Sequence, residues 1–341
     1  MKTKQIVGII ITGLVIIAVG VSGVATNIIQ QKLLADRVQS EQSTTDIMST
    51  LFGGDGETIN LPKQDFIGVL NIVGEIGANS STSSLYGTSG YDHEMYMNYV
   101  EQMKNSGFNK GIFLYIDSPG GAVYQTDELY QKLLEYKEET GRPIWAYYAS
   151  EACSGGYYIS MAADRIYANR NAWTGSIGVI VSLLNCKGLY DKLGIKEIDI
   201  TSGKNKAMGS MGLELTKEQQ DILQSLVDEA YDQFVGIVAT GREMDETKVR
   251  TLADGRIYSA KQALEAGLID EIEGLEQVKE KFASELGCDA KEDFFTPKNK
   301  MSDFFNSLFG KAKELLPTSE TDLAEDIVKN RGNGVLKYYA E

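Results

Sequence analysis

The chain has 341 residues, of which 43% are hydrophobic, and its formal net charge is −15. Its length and apolar content allow a sizeable buried core, so one catalytic domain with appendages is expected. The acidic charge argues against nucleic-acid binding, because no basic stripe can displace counterions from phosphate. The cysteines Cys153, Cys186 and Cys288 are odd in number and widely spaced, which indicates neither a metal site nor a disulfide framework.

The first 30 residues are predicted to form a transmembrane anchor. No charged residue lies between Lys4 and Lys32, and the apolar run over 6–29 exceeds the roughly 20 residues that a membrane-spanning helix needs. The lysines before it favour a single-pass protein in the cell membrane, with a cytoplasmic N-terminus and an extracytoplasmic catalytic domain. A cleaved signal peptide is the alternative, since residues 23–25 resemble a cleavage site. The apolar run is longer than the usual hydrophobic region of about 7–15 residues, however.

The next segment is predicted to be a linker that leads into the catalytic domain. The linker is placed over 31–63, because polar, glycine-containing residues without a persistent period extend from Gln39 to about Lys63. An apolar strand is expected over 66–76, and apolar residues at intervals of four predict a helix over 92–105. The only histidine, His93, precedes that helix, and a Ser-His-Asp triad would have to use it. Because no motif surrounds His93, we expect an exposed, non-catalytic side chain and a different base.

Two strand–turn–helix units follow, and each has glycines at its turn. The apolar run 111–117 ends in Ser118-Pro119-Gly120-Gly121, and the run 144–149 leads to Ser154-Gly155-Gly156. Such glycines leave N–H groups uncovered at the carboxyl end of a strand, where ligands bind in open α/β sheets. Ser154 would lie at a helix N-terminus, which favours an attacking serine and its oxyanion. Alternatively, Ser154 only caps the helix and the glycines only permit close packing.

The remaining pattern is an alternation of helices and strands. It argues for an α/β fold with parallel strands joined by right-handed crossovers. No phosphate-binding glycine motif occurs in the strand–turn–helix units, so nucleotide binding has no support. The predicted elements are helices over 126–140, 156–163 and 215–240, and strands over 165–168, 177–181 and 196–200.

A loop over 201–211 carries two candidate bases, Lys204 and Lys206, among small residues. A lysine acts as a general base only when neutral, so its pKa must fall from about 10.4 toward 7–8. Burial against apolar walls has that effect, whereas an exposed loop in an isolated domain does not. If one of these lysines is the base, a neighbouring subunit is the natural cover. Otherwise both are solvated loop charges.

Four motifs, in this order, resemble the bacterial signal peptide peptidase A family. They are Ser118-Pro119-Gly120-Gly121, Ser154-Gly155-Gly156, the segment 174–179 and Ser202-Gly203-Lys204-Asn205-Lys206. The similarity runs from about Phe66 to Ile272. It implies that Ser154 is the nucleophile, that Lys206 is the general base, and that amides of Gly120 or Gly121 and of Gly155 bind the oxyanion. Because Lys204 lies only two residues before Lys206, the assignment of the base depends on how the family motif is aligned with this sequence.

The resemblance also implies a fold, an assembly and a substrate class. The fold is a Clp protease/crotonase-like spiral of βαβ units, and the assembly is a homo-oligomeric ring with sites completed across subunit interfaces. The expected activity is that of a serine endopeptidase that degrades released signal peptides and other short or unfolded apolar peptides, without a metal or organic cofactor. An acyl-thioester enzyme of crotonase type and an inactive membrane-bound scaffold are the alternatives.

The expected domain order is an anchor over 1–30, a linker over 31–63, a peptidase domain over 64–285 and a C-terminal segment over 286–341. In the last segment, apolar residues share one helical stripe, whose members are Met301, Phe304, Phe305, Leu308, Phe309, Ala312, Leu315 and Leu316. We interpret this stripe as packing on the domain or on a partner subunit, with the membrane interface as the alternative.

Overall fold

The computed structural model describes residues 59–77 and 91–297. The predicted transmembrane helix, all but the last five residues of the predicted linker and the C-terminal apolar stripe lie outside these described residues. Within them, no helix is both long and apolar enough to cross a membrane.

Strands and helices alternate through the described residues as the sequence pattern predicts. The eight strands are β1 (Phe66–Val73), β2 (Asn109–Ser118), β3 (Ile144–Cys153), β4 (Arg165–Ala168), β5 (Trp173–Gly175), β6 (Ile257–Ser259), β7 (Glu271–Ile272) and β8 (Phe294–Phe295). The eight helices are α1 (His93–Asn105), α2 (Val123–Thr140), α3 (Gly155–Ser160), α4 (Lys187–Leu193), α5 (Lys217–Gly241), α6 (Glu246–Leu252), α7 (Ala260–Ala266) and α8 (Leu275–Leu286).

All eight strands belong to one mixed sheet. Its order is β6-β5-β3-β2-β1-β8, while β4 pairs with β3 and β7. Every described pairing is parallel except the antiparallel pair β5–β6, which the sequence pattern did not predict. This mixed α/β sheet fits a Clp protease-like fold. Strand β8 extends it beyond the predicted domain boundary at residue 285.

The two faces of the sheet hold two hydrophobic clusters. The larger cluster includes buried residues of α1, α2, α3 and α5, and the smaller includes α8. Because β2 and β3 are covered on both faces, they are nearly continuous apolar runs, as buried parallel strands usually are. In the smaller cluster Trp145 stacks on Phe282 with ring centroids 4.7 Å apart. Such aromatic pairs contribute about 0.5–1.5 kcal/mol beyond their buried area, which helps to hold α8 on the sheet.

Two predicted strands, over 177–181 and 196–200, are wrong. Both segments lack regular secondary structure, although β-branched residues are frequent in them. A strand requires a neighbour to which its backbone can hydrogen-bond, and no described strand pairs with either segment. The long helix is confirmed as α5, and α2 begins at Val123, three residues earlier than predicted.

Candidate active site

Ser154 lies on the turn between β3 and α3, where its backbone is strained. Its φ of 49° and ψ of −116° are uncommon for a residue with a side chain. Its N–H donates to the carbonyl of Gly175 at 2.8 Å, which ties the turn to β5. The Ser154 side chain makes no capping hydrogen bond, so the interpretation of Ser154 as a simple helix cap is wrong. The hydroxyl is thus held on a half-buried turn at the carboxyl end of a strand.

The glycine turn after β2 packs directly against Ser154. A Cβ placed on Gly120 would lie 2.7 Å from both the Ser154 Cβ and the Gly155 nitrogen. Gly120 has a φ of 105°, a conformation that favours glycine. The two glycine turns, after β2 and after β3, therefore meet beside Ser154.

Of the two candidate amides on this turn, only that of Gly121 is available to a substrate. The Gly120 N–H donates to Ser118 Oγ at 3.1 Å. Ile76 pairs with the turn on one side, through its N–H to the Gly120 carbonyl and its carbonyl to the Ala122 N–H, each at 2.8 Å. The Gly121 N–H has no acceptor within the described residues.

The second available amide is that of Gly155, the first residue of α3. An N–H at this position has no acceptor inside its own helix. A Cβ position built on Gly155 is 3.3 Å from the Gly121 nitrogen, so the two turns are in contact. The amides of Gly121 and Gly155 therefore lie on adjacent turns beside Ser154, where backbone donors could bind an oxyanion.

The two candidate lysines lie on a segment over 179–214, which we call the arm. The Lys204 Nζ forms an ion pair with Glu218 at 2.8 Å and lowers the pKa of that carboxyl. The exposed Lys206 makes no ion pair or side-chain hydrogen bond within the described residues. Neither lysine is hydrogen-bonded to Ser154 in the described part of a single chain, so this structure does not pair the serine with either candidate base.

His93 is buried, and the prediction of an exposed side chain is wrong. Only 4% of its surface is exposed, because it opens α1 against α2 and the Tyr91 ring. Its Nδ1 is 2.7 Å from the Tyr91 hydroxyl, and its Nε2 is 2.9 Å from Glu128 Oε2. The His93 hydrogen bond lowers the pKa of Glu128. Both ring nitrogens are thus engaged away from Ser154, which agrees with a non-catalytic histidine.

Cys153 precedes Ser154 but is unsuited to nucleophilic attack. Burial, aided by the nearby Glu151 carboxyl, raises the pKa of its thiol to about 12. The reactive thiolate is therefore scarce at neutral pH.

Two residues outside the sequence motifs, and one inside the motif segment 174–179, also shape the site. Ile76 pairs with the glycine turn, and Thr126 contacts Gly155. Ser176, which has a φ of 49°, directly follows Gly175, whose carbonyl accepts the Ser154 N–H. None of the three lies at a position whose residue type alone predicts a role, since each acts through a contact between distant parts of the chain.

Comparison with known proteins finds similarity to a peptidase family. Residues 136–289, which include Ser154 and Lys206, match Peptidase family S49. A protein described as "Putative signal peptide peptidase SppA" from Enterococcus faecium is 40% identical over 195 residues, covering 57% of this chain and 56% of that protein. Protease 4 from Haemophilus influenzae is 35% identical over 163 residues, covering 48% of this chain and 26% of the relative.

A plant relative extends the comparison. Chloroplastic serine protease SPPA from Arabidopsis thaliana is 32% identical over 183 residues, covering 53% of this chain and 27% of the relative. In each of these pairs the match spans less than two thirds of the relative's length. The family match over residues 136–289 and these relatives together show that the chain contains a Peptidase family S49 region and is similar to proteins of the signal peptide peptidase A family.

Proposed function

We propose that this chain is a membrane-anchored serine endopeptidase that degrades signal peptides after their release and other short or unfolded apolar peptides. The observation that carries the proposal is that two backbone amides without an acceptor in the described residues, those of Gly121 and Gly155, lie on neighbouring turns beside the strained Ser154. Two backbone donors at a serine suit acyl transfer, because the tetrahedral intermediate places a negative oxygen between them. The names of the relatives support the peptidase class.

In this mechanism Ser154 Oγ attacks the peptide carbonyl while neutral Lys206 takes its proton. The amides of Gly121 and Gly155 bind the oxyanion, and the proton passes from Lys206 to the leaving amine. Water, with Lys206 again as base, then hydrolyses the acyl-enzyme and frees Ser154. No metal or organic cofactor takes part in these steps.

A second copy of the chain is the proposed cover for Lys206. The arm is rich in exposed apolar side chains, and its helix α4 has no buried residue. A soluble monomer rarely leaves so many large apolar residues in water. Its exposed apolar residues are Ile180, Val181, Leu183, Leu184, Leu189, Leu193, Ile195, Ile198, Ile200, Met211 and Leu213. Burial of the arm by a neighbour in a ring would desolvate Lys206 and favour its neutral form.

The membrane anchor and the substrate class rest on the sequence. The charge-free apolar run over 6–29 supports an N-terminal helix that holds the catalytic domain at the outer face of the cell membrane. A site tethered there remains close to apolar peptides released at the bilayer.

Peptide hydrolysis by the full-length protein in detergent tests the proposal. The substrates are casein and a synthetic signal peptide, and the variants are Ser154→Ala, Lys206→Ala, Lys204→Ala and His93→Ala, each assayed across pH. We expect activity to fall to background in the first two only and to rise with pH as the lysine loses its proton. A serine-reactive fluorophosphonate should label every variant except Ser154→Ala, with slower labelling of Lys206→Ala.

Other outcomes would redirect the assignment. Activity that survives Lys206→Ala but is lost in Lys204→Ala would identify Lys204 as the general base. Wild-type protein that neither hydrolyses peptides nor reacts with the probe would favour the inactive scaffold.

A further inference from the structure

Thr126 carries the one buried side-chain oxygen or nitrogen without a hydrogen-bond partner in the described part of the chain. The residue lies in the first turn of α2 and is only 2% exposed. Its Oγ1 is 2.6 Å from the position that a Cβ on Gly155 would take, and the Gly121 nitrogen is 3.3 Å from the same position. An unpartnered hydroxyl therefore lies against Gly155, on the side of that residue where the Gly121 nitrogen also lies.

The backbone of Thr126 is tied to the glycine turn. Its N–H donates to the Ala122 carbonyl at 3.1 Å, and the Ala122 N–H donates to the Ile76 carbonyl at 2.8 Å. On the other side, the Tyr158 hydroxyl of α3 donates to Asp127 at 2.6 Å. Helices α2 and α3 are thus held together, and the Thr126 side chain is a contact between their first turns.

The hydroxyl at this position does not favour stability. A buried hydroxyl without a partner loses its bonds to water and gains none from the protein. Valine has nearly the same shape and would remove that loss. A methyl group is wider than a hydroxyl oxygen, however, and at this contact it would push Gly155 away from α2.

We propose that Thr126 is a positioning residue of the oxyanion hole. Its narrow oxygen lets the start of α2 approach the start of α3 so that the Gly121 and Gly155 amides converge on one oxygen atom. The inference rests on the proposed peptidase function. Because those amides bind charge that develops in the transition state, a wider side chain lowers kcat more than it changes KM.

Three full-length variants test this role: Thr126→Val, Thr126→Ser and, as a control, Thr140→Val. Thr140 lies in the last turn of α2, where its hydroxyl donates to the Tyr136 carbonyl at 2.6 Å. For Thr126→Val we expect a Tm equal to or above that of the wild type, with kcat reduced roughly tenfold and KM little changed. Thr126→Ser keeps the oxygen and should keep kcat within about twofold, and Thr140→Val should lower Tm only.

Thr126→Val with wild-type kcat would overturn the proposal, and so would an equal loss of kcat in Thr126→Ser. If Thr126→Val does not fold, Thr126→Ala removes the contact without adding bulk and should lower kcat while Thr126→Ser does not. Comparison with Ser154→Ala distinguishes a failure of the proposed peptidase function from a failure of the role proposed for Thr126. If the wild type is no more active than Ser154→Ala, the peptidase function itself fails. If it is more active and Thr126→Val retains kcat, only the role of Thr126 fails.

Discussion

At Gly121 two backbone segments approach so closely that a side chain has no room. A Cβ there would lie 2.0 Å from the Ile76 carbonyl oxygen, which belongs to the backbone and cannot rotate away. The contact also fixes the direction of the Gly121 N–H, because Ile76 binds the groups on either side of it. One glycine thus allows the turn to form and supplies an available amide at the candidate site.

Replacement of this glycine tests both properties. We expect Gly121→Ala to displace the turn and to lower kcat by about a hundredfold or more, the usual loss when one oxyanion donor is removed. Peptide hydrolysis and fluorophosphonate labelling measure the effect. Gly107→Ala is the matched control, since no atom lies within 4 Å of a Cβ at that position. Unchanged kcat in Gly121→Ala would exclude this amide from the oxyanion hole.

Among the secondary-structure elements, α1 and α2 are joined by a cluster of charges that holds the helix leading away from the glycine turn. Lys104 and Lys132 lie between three glutamates, Glu101, Glu135 and Glu139. Both lysines are largely covered, whereas the glutamates are more exposed. A network of this kind stabilises more than isolated surface pairs do, because each side chain is already restricted by several partners.

This cluster predicts a loss of stability in acid. The hydrogen bond from Lys132 lowers the pKa of Glu101 from 4.5 to about 2. A carboxyl with a lowered pKa in the folded state stabilises the fold above its unfolded pKa, so this contribution is lost as the pH falls from about 4.5 toward 2. Thermal unfolding at pH 7 and pH 3 should show a smaller drop in Tm for Glu101→Gln than for the wild type.

The matched control for this prediction is Glu138→Gln in α2, since Glu138 is exposed and forms no ion pair within the described residues. Its Tm should fall with pH as much as that of the wild type. If Glu101→Gln behaves in the same way, the charge cluster does not contribute to acid sensitivity.

At the scale of the whole molecule, most of the large apolar side chains that are exposed to solvent in the described residues of a single copy lie in the arm. Ile198 and Ile200 are 80% and 98% exposed, and the candidate base Lys206 follows them closely in sequence. A site that needs a neutral lysine is incomplete while that lysine remains in water. Assembly and catalysis are therefore expected to depend on the same surface.

Two charges placed on the arm test this dependence. We expect Ile198→Asp/Ile200→Asp to reduce oligomer size in sedimentation velocity and to abolish peptide hydrolysis, because carboxylates resist burial at an apolar interface. The circular dichroism spectrum should not change, since neither side chain is packed in the single chain. Phe108→Asp introduces a charge at another exposed apolar residue, outside the arm, and should leave both properties intact. A variant that stays fully assembled would contradict the proposed interface.

The sequence by itself determined the elements whose signals are local. Continuous apolar runs predicted β2, β3 and β4, one-sided apolar spacing predicted α5, and the glycine turns after β2 and β3 marked where the site would form. These predictions succeed because a buried parallel strand and an amphipathic helix each require their own pattern of apolar residues. The family motifs added the candidate nucleophile and base, which local patterns alone left open.

Only the tertiary structure decided which groups meet. It selected Gly121 over Gly120, because the Gly120 amide is already bonded to Ser118, and it placed His93 in the interior. It also showed that the segments 177–181 and 196–200 are not strands, since neither pairs with a strand among the described residues. Each result depends on contacts between residues far apart in sequence, so the residue types around a position could not reveal it.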